Sequence, residues 1–291
     1  MIGNPRSGRA GGLSRLKHYA ELIRERLGEV ELWPTERPEH ARELASLAGD
    51  TLVVAAGGDG TINEVINGLS PGATLGILPL GTANVLAREL GLPLDPEAAC
   101  LRIAEGEAVR IDLGVAMDRY RQSRLFACMA GIGFDASVVR EVGPFAKHRL
   151  GKLAFVLTAV RLYATRDFPP ARLLIGEDGQ KKAVSGARLA VISNTAHYGG
   201  PFRMSSRKDL LYSGELELVV VERLTSLLRP DVLLPFLARQ PLDRTARSFT
   251  TTGLEAQAAE GEEIPVQLDG EPWGHLPMSF GIRPQALRVI R

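Results

Sequence analysis

The sequence predicts an α/β N-terminal domain built on a parallel sheet, followed by a β-rich domain of sandwich or barrel type. Two observations carry this expectation. Residues 1–108 alternate short apolar, β-branched runs with helix-period stripes, the signature of a helix-covered parallel sheet. Residues 109–291 hold many short strand signals and only two helical segments. A chain of 291 residues accommodates both domains. The boundary is placed near Glu105–Arg110, where neither a repeat nor a low-complexity linker marks it.

Each element follows from local pattern. The opening Met1-Ile2-Gly3 leaves little room for a first strand, so a clipped strand or a misassigned start codon is expected. Apolar residues at Leu13, Leu16, Ala20, Ile23 and Leu27 predict a helix over Gly12–Leu27. Val30–Trp33 reads as a short strand and Glu39–Leu47 as a helix. Then come a strand over Thr51–Ala56, a helix over Thr61–Leu69, a strand over Thr74–Leu78 and a helix over Asn84–Leu90, ended by Gly91. Asp95-Pro96 is an N-cap with proline at the first helical position, opening a helix through Ala104. Beyond the boundary, strands are predicted at Val109–Val115, Leu125–Ala130, Ala171–Ile175, Ala187–Ser193, Glu215–Val221, Ser248–Thr252, Glu255–Ala258 and Ile264–Leu268. Helices are predicted at Lys152–Ala164 and Thr225–Leu237.

Composition narrows the function classes. Apolar residues make up 45% and charged residues 24%, ordinary for a globular protein. The net charge of +1 supplies no global field for nucleic acid. Cys100 and Cys128 share no metal-type spacing, and the five histidines form no ligand pair. No stretch approaches the roughly 20 apolar residues of a membrane span, and no secretory signal is present. A cytoplasmic, disulfide-free protein is the simplest expectation.

Three strand–turn–helix junctions carry polar residues suited to phosphate. In the strongest, Thr51–Ala56 ends in Gly57-Gly58-Asp59-Gly60-Thr61, with Asn63 and Glu64 in the first helical turn. Glycines permit positive φ and close backbone approach. Free N–H groups at a helix start favour an anion. Asp59 would repel a bare phosphate, so it needs a metal or a proton-transfer task nearby. The plainer alternative is a tight strand–helix loop. Asn4-Pro5-Arg6-Ser7-Gly8, with Gly11-Gly12 behind it, is a second such turn, and in isolation a plain turn explains it better. Gly81-Thr82-Ala83-Asn84 is the third; Thr82 and Asn84 also suit simple capping. Far downstream, Asp269-Gly270-Glu271 reads alone as a hairpin turn. Beside an Asp-bearing phosphate loop, Glu271 becomes a candidate general base.

These residues together resemble the diacylglycerol kinase and sphingosine kinase type of lipid kinase, in its soluble bacterial branch. The resemblance rests on Asn4–Gly8, Gly57–Thr61 with Asn63-Glu64, Gly76–Gly91, Gly131-Ile132-Gly133-Phe134-Asp135-Ala136, Asn194 with Tyr198-Gly199-Gly200, and Asp269-Gly270-Glu271. They occur in family order across nearly the whole chain.

The resemblance implies a nucleotide-binding domain over 1–108, of the NAD-kinase and diacylglycerol-kinase type. It implies a β-sandwich over 109–291 that takes the lipid, with the last residues packing back on the first domain and the site in the interdomain cleft. It further implies ATP and Mg²⁺ as cofactors. Asn4, Pro5, Arg6, Ser7, Gly8, Gly57, Gly58, Gly60, Thr61, Asn63, Glu64, Gly81 and Thr82 would line the ATP site, with Thr35 a looser match. Asp59 would act on nucleotide-bound Mg²⁺ or as base, and Glu271 as proton acceptor. Two departures stand out. Tyr212-Ser213-Gly214 replace an Asp-Asp-Gly that in bacterial members helps form a structural magnesium site, with Asp209 offset by three. Val85 stands where an acid is frequent.

The expected activity is transfer of the γ-phosphate of ATP to the hydroxyl of a lipid alcohol, diacylglycerol first. The substrate would be met at a transient membrane surface, so the enzyme is expected to be cytoplasmic and peripheral to the inner face. The basic run Lys147-His148-Arg149-Leu150-Gly151-Lys152 suits phosphate or an anionic bilayer, and equally a solvated helix start. Phe155, Leu157 and Leu162 suit a lipid pocket or ordinary core. The uncovered edge of a short sheet invites a homodimer. Two alternatives remain open: an NAD-kinase-like enzyme with a soluble substrate, and a non-catalytic lipid-binding regulator. An Asn-Glu pair in a later substrate loop would favour the former, but Asn63-Glu64 sits in the first helix. The presence of both Asp59 and Glu271 argues against the latter.

Overall fold

The computed structural model describes residues 1–7, 12–142, 152–176, 181–199, 202–244 and 246–291. They form two compact units, Met1–Leu113 with Pro284–Arg291, and Gly114–Arg283.

The first unit is built from β1 (Ile2–Gly3), α1 (Gly12–Leu27), β2 (Trp33–Pro34), α2 (His40–Leu47), β3 (Leu52–Gly57), α3 (Asp59–Gly68), β4 (Thr74–Pro79), α4 (Val85–Glu89) and α5 (Pro96–Glu105). Its strands run in the order β2-β1-β3-β4, followed by the last residues of β18 (Met278–Ile290). Every pairing is parallel. Leu16, Tyr19 and Ile23 of α1 and Ala99, Cys100 and Ile103 of α5 close over Val54, Ala56 and Leu78 of the sheet. Strands buried on both faces read as continuous apolar runs, and β3 and β4 do.

A first strand does form, clipped to two residues. Ile2 pairs with both Trp33 and Ala55, so β1 lies inside the sheet. Helix α3 starts at Asp59 rather than Thr61 because Gly58 is its N-cap. Asp95 accepts the N–H of Ala98 at 2.9 Å and caps α5 as expected.

The second unit contains the end of β5 (Ala108–Asp118), β6 (Ser123–Phe126), β7 (Met129–Gly133), α6 (Phe134–Glu141), α7 (Lys152–Thr165), β8 (Ala171–Ile175), β9 (Lys182–Ala187) and β10 (Leu189–Ser193). It continues with β11 (His197–Tyr198), β12 (Phe202–Arg203), β13 (Leu216–Val221), α8 (Pro230–Leu237), β14 (Arg247–Thr251), β15 (Gly253–Gln257), β16 (Pro265–Leu268), β17 (Glu271–His275) and the start of β18.

One sheet runs β14-β13-β10-β7-β16-β17, with antiparallel pairings. The other carries β18-β15-β8-β9, also antiparallel, with β5 beside β18 and β6 beside β5. Their inner faces interdigitate as a β-sandwich. Ile132, Ile192, Leu216, Leu218 and Val220 meet Leu173, Ile175, Leu254 and Phe280 in one core.

The predicted strand Leu125–Ala130 is two strands. Between them, the N–H groups of Ala127, Cys128 and Met129 donate to the Asp269 carboxylate at 2.7, 2.8 and 2.9 Å, and the ladder breaks there. The predicted helix Thr225–Leu237 is a 3₁₀ turn over Leu224–Leu228 followed by α8, since Pro230 cannot continue a helical hydrogen-bond ladder.

Candidate active site

In the first unit the sequence-predicted residues converge where β1, β3 and β4 end. Asn4 donates its backbone N–H to Ala56 O at 2.9 Å and its Nδ2 to Thr61 Oγ1 at 3.4 Å. Its Oδ1 accepts the N–H of Arg6 at 2.9 Å, and its carbonyl accepts that of Ser7 at 3.1 Å. Pro5 therefore lies in a turn pinned to the start of α3. Gly8, Gly11, Gly200 and residues 147–151 of the basic run lie outside the described residues. Thr35 follows β2 and donates its N–H to Gly3 O at 2.8 Å.

Of the two uses expected of the glycine turns, close backbone approach is found and positive φ is not. None of Gly57, Gly58, Gly60 and Gly81 has positive φ. Their need is space. A Cβ on Gly57 would lie 2.5 Å from the Thr61 side chain, and one on Gly81 only 2.6 Å from Gly58 Cα. The two turns abut backbone to backbone.

Asp59 ties them together. Its Oδ1 accepts the N–H of Val85 at 2.6 Å and its Oδ2 that of Asn84 at 2.9 Å. Asn84 adopts the left-handed conformation (φ 49°). Its side chain closes the turn on Gly81, accepting from Gly81 N at 3.0 Å and donating to Gly81 O at 2.9 Å. Thr82 is exposed on this turn, Thr61 and Asn63 are buried, and Asn63 Oδ1 accepts from Asn67 at 3.2 Å. Glu64 serves another helix. Glu39, before α2, makes no side-chain cap, and Glu64 Oε2 accepts the N–H of Ala41 at 3.1 Å instead.

In the second unit, Asp269 (φ 49°) and Gly270 (φ 84°) form the turn between β16 and β17, both with the positive φ of a tight hairpin turn. The Asp269 carboxylate, which takes the three N–H groups of 127–129, is committed to backbone. Glu271 opens β17. Arg124 Nη2 donates to its Oε2 at 3.3 Å, with side-chain exposures of 13% for Arg124 and 37% for Glu271. Asn194 Nδ2 donates to Ala127 O at 2.9 Å and fixes the segment that Asp269 grips. Arg124 has no motif of its own and escapes sequence reading; only its pairing reveals it.

Two family models match the chain: "Diacylglycerol kinase catalytic domain" over residues 1–116, and "YegS C-terminal NAD kinase beta sandwich-like domain" over residues 128–291. The chain belongs to the diacylglycerol kinase family. A "Diacylglycerol kinase" of Bacillus subtilis is 30% identical over 96% of this chain and 91% of its own length. A "Probable lipid kinase YegS-like" of Chromohalobacter salexigens is 34% identical over 85% of this chain and 78% of its own. A crystal structure of a diacylglycerol kinase from Bacillus anthracis str. Sterne shares the fold, with TM-score 0.78 and 23% identity over 99% of this chain and 94% of that one.

Membership of this kinase family implies ATP and a divalent metal, and the donor set discriminates between metal roles. Among the described residues no group of three or more His, Cys, Asp or Glu could cage an ion. A Mg²⁺ shared between phosphates and one carboxylate needs no such cage, and Asp59 is the carboxylate that stands between these two turns. The structural magnesium site does not fit. There Arg207 forks onto Asp209 with two bonds of 3.2 Å and reaches Glu215 Oε2 at 2.8 Å. The bonds from Arg207 hold the Asp209 carboxyl below the usual range. The segment carries its own cation.

Gly81→Ala pushes the two turns apart and lowers stability by about 1–3 kcal/mol, read by urea denaturation; an unchanged midpoint contradicts the contact. Excess EDTA or millimolar Mg²⁺ leaves the nucleotide-free melting temperature unchanged. Arg207→Gln costs about 1 kcal/mol or less, since these ion pairs are solvent-screened. A magnesium-dependent rise in melting temperature contradicts the Arg207 assignment.

Proposed function

We propose that the chain is an ATP-dependent lipid kinase that transfers the γ-phosphate to the hydroxyl of a lipid alcohol, with diacylglycerol the first candidate. The observation that carries the reading is the contrast among the three motif acids. Asp59 and Asp269 are bonded to backbone N–H groups. Glu271 instead meets the Arg124 guanidinium through Oε2 at 3.3 Å. Of the three motif acids it is the one we assign to receive the proton, because the other two spend both carboxylate oxygens on backbone N–H groups. The names of the relatives support lipid over soluble substrates.

Phosphoryl transfer asks for positioning and charge stabilisation more than covalent chemistry. Asn4, Pro5, Arg6, Ser7, Thr35, Gly57–Thr61, Asn63, Gly81 and Thr82 would orient the nucleotide; Glu64 braces α2 behind them. Mg²⁺, when bound with the nucleotide beside Asp59, neutralises phosphate charge. Glu271 takes the proton of the lipid hydroxyl as its oxygen bonds to the γ-phosphorus. The bond from that phosphorus to the β,γ-bridging oxygen breaks, and ADP leaves. Arg124 keeps the Glu271 side chain oriented.

No described helix is long and apolar enough to cross a membrane. Peripheral contact is supported by α7, where Leu153, Val156, Leu157 and Val160 are 53–62% exposed along one face. Leu162 is core, at 1% exposure. This face would lie on the inner leaflet.

Glu271→Gln lowers turnover with diacylglycerol in mixed micelles by about two orders of magnitude or more, and wild-type rates remove Glu271 from the chemistry. Asp59→Asn lowers it similarly, by loosening the turn that Asn84 and Val85 anchor. The wild type co-sediments with anionic vesicles at low salt, and Leu157→Glu with Val160→Glu releases it. Equal sedimentation of both proteins contradicts the assignment of the α7 face.

A further inference from the structure

The sandwich holds a buried polar network that the roles above leave unused. Asp135 sits in the first turn of α6, 5% exposed. Its Oδ1 accepts the Tyr198 hydroxyl and its Oδ2 accepts Gln267 Nε2 at 2.8 Å. Gln267, 2% exposed on β16, in turn accepts the N–H of Gly270 on its Oε1 at 2.7 Å. Gly131 of β7 leaves the room, since a Cβ there would fall 1.7 Å from Asp135 Oδ2. Burial pushes the Asp135 carboxyl up, and the bonds from Tyr198 and Gln267 draw it back down.

The chemistry of the three groups gives the network a direction. Both Asp135 oxygens act as acceptors, one for the Tyr198 hydroxyl and one for the Gln267 amide. Asp135 therefore turns the amide NH₂ of Gln267 toward itself and leaves the amide oxygen for Gly270 N–H. Gly270 immediately precedes Glu271. The other side of the turn is held by Asp269 on residues 127–129 and by the bond from Asp269 N–H to Met129 O at 2.9 Å.

We propose that Gln267, oriented by Asp135 and Tyr198, is a positioning residue that sets the backbone carrying Glu271. This rests on Glu271 being the proton acceptor. It also gives the Gly131–Ala136 and Tyr198-Gly199 motifs a task in the reaction, through Asp135, Tyr198 and the space that Gly131 leaves.

The test is a kinetic cycle on the full chain. Gln267→Met keeps the volume and removes both bonds. It lowers kcat by about 10²-fold, the scale of a small misplacement, and leaves KM for ATP unchanged. In a Glu271→Gln background it has no further effect on kcat. Wild-type kcat in Gln267→Met, or an equal loss with and without Glu271, overturns the inference. Wild-type kcat in Glu271→Gln overturns the acceptor reading itself, which separates the two failures.

Gln267→Glu adds a signature that a merely structural role would not produce. With one proton shared between the introduced carboxyl and Asp135, the same bonds re-form. When both ionise, they repel and the turn shifts. The ratio of variant to wild-type kcat is near one at low pH and falls as pH rises through the titration of the pair. Asp135 is the titratable group hydrogen-bonded to this position, and Tyr198 is hydrogen-bonded to Asp135. Neighbouring β17 adds Glu271, paired with Arg124, and His275, which meets Arg140 of α6 at 3.2 Å. Those charges are common to both proteins and cancel in the ratio. A ratio flat in pH contradicts the proposal.

Discussion

The bonds from Asn84 and Val85 N–H to the Asp59 carboxylate are the interaction on which the first unit's site depends. A strand that ends and turns into a helix leaves N–H groups without partners. Here one carboxylate, itself at the start of α3, satisfies two of them at the start of α4. The turns at Gly58 and Gly81 can then press together without side chains between them. The polar rim of Asn4, Thr61 and Thr82 follows from that closure.

The second unit solves the same problem with Asp269, which gathers three N–H groups and splits what would be one strand into β6 and β7. The shared device shows that acids which look catalytic in sequence also hold backbone in place. Glu271 differs because its partner is a guanidinium. The amide of Gln267, turned by a buried carboxylate, completes the support of its turn.

Much of the fold is legible in sequence because periodicity survives folding. Helix α1 spans the predicted Gly12–Leu27, β8 the predicted Ala171–Ile175, and Asp95 caps α5. Leu216, Leu218 and Val220 of the predicted strand Glu215–Val221 lie in the sandwich core. What escapes depends on partners distant in sequence. The two-residue β1 exists only because β2 and β3 flank it. Strands β17 and β18 hide behind Pro272, Pro277 and Pro284. The glycines of the phosphate-type turn suggest positive φ or close approach in sequence, and it is close approach, letting two loops touch, that they supply. Gln267 lies in the apolar run Pro265–Leu268, where a lone polar side chain is the available signal of a buried network. Arg124 carries no signal at all. The departure at Tyr212-Ser213-Gly214 is visible, but its compensation by Arg207 requires knowing which acids lie within reach of that guanidinium.

The central claim is that this chain phosphorylates a lipid alcohol. Incubating the full chain with labelled ATP, Mg²⁺ and a total lipid extract, with NAD in a parallel reaction, and reading products by mass spectrometry tests it most directly. The account predicts a phosphorylated lipid alcohol, formed in step with ADP, and no phosphorylated NAD. ATP consumption with NAD alone, or none with any lipid alcohol, would contradict it.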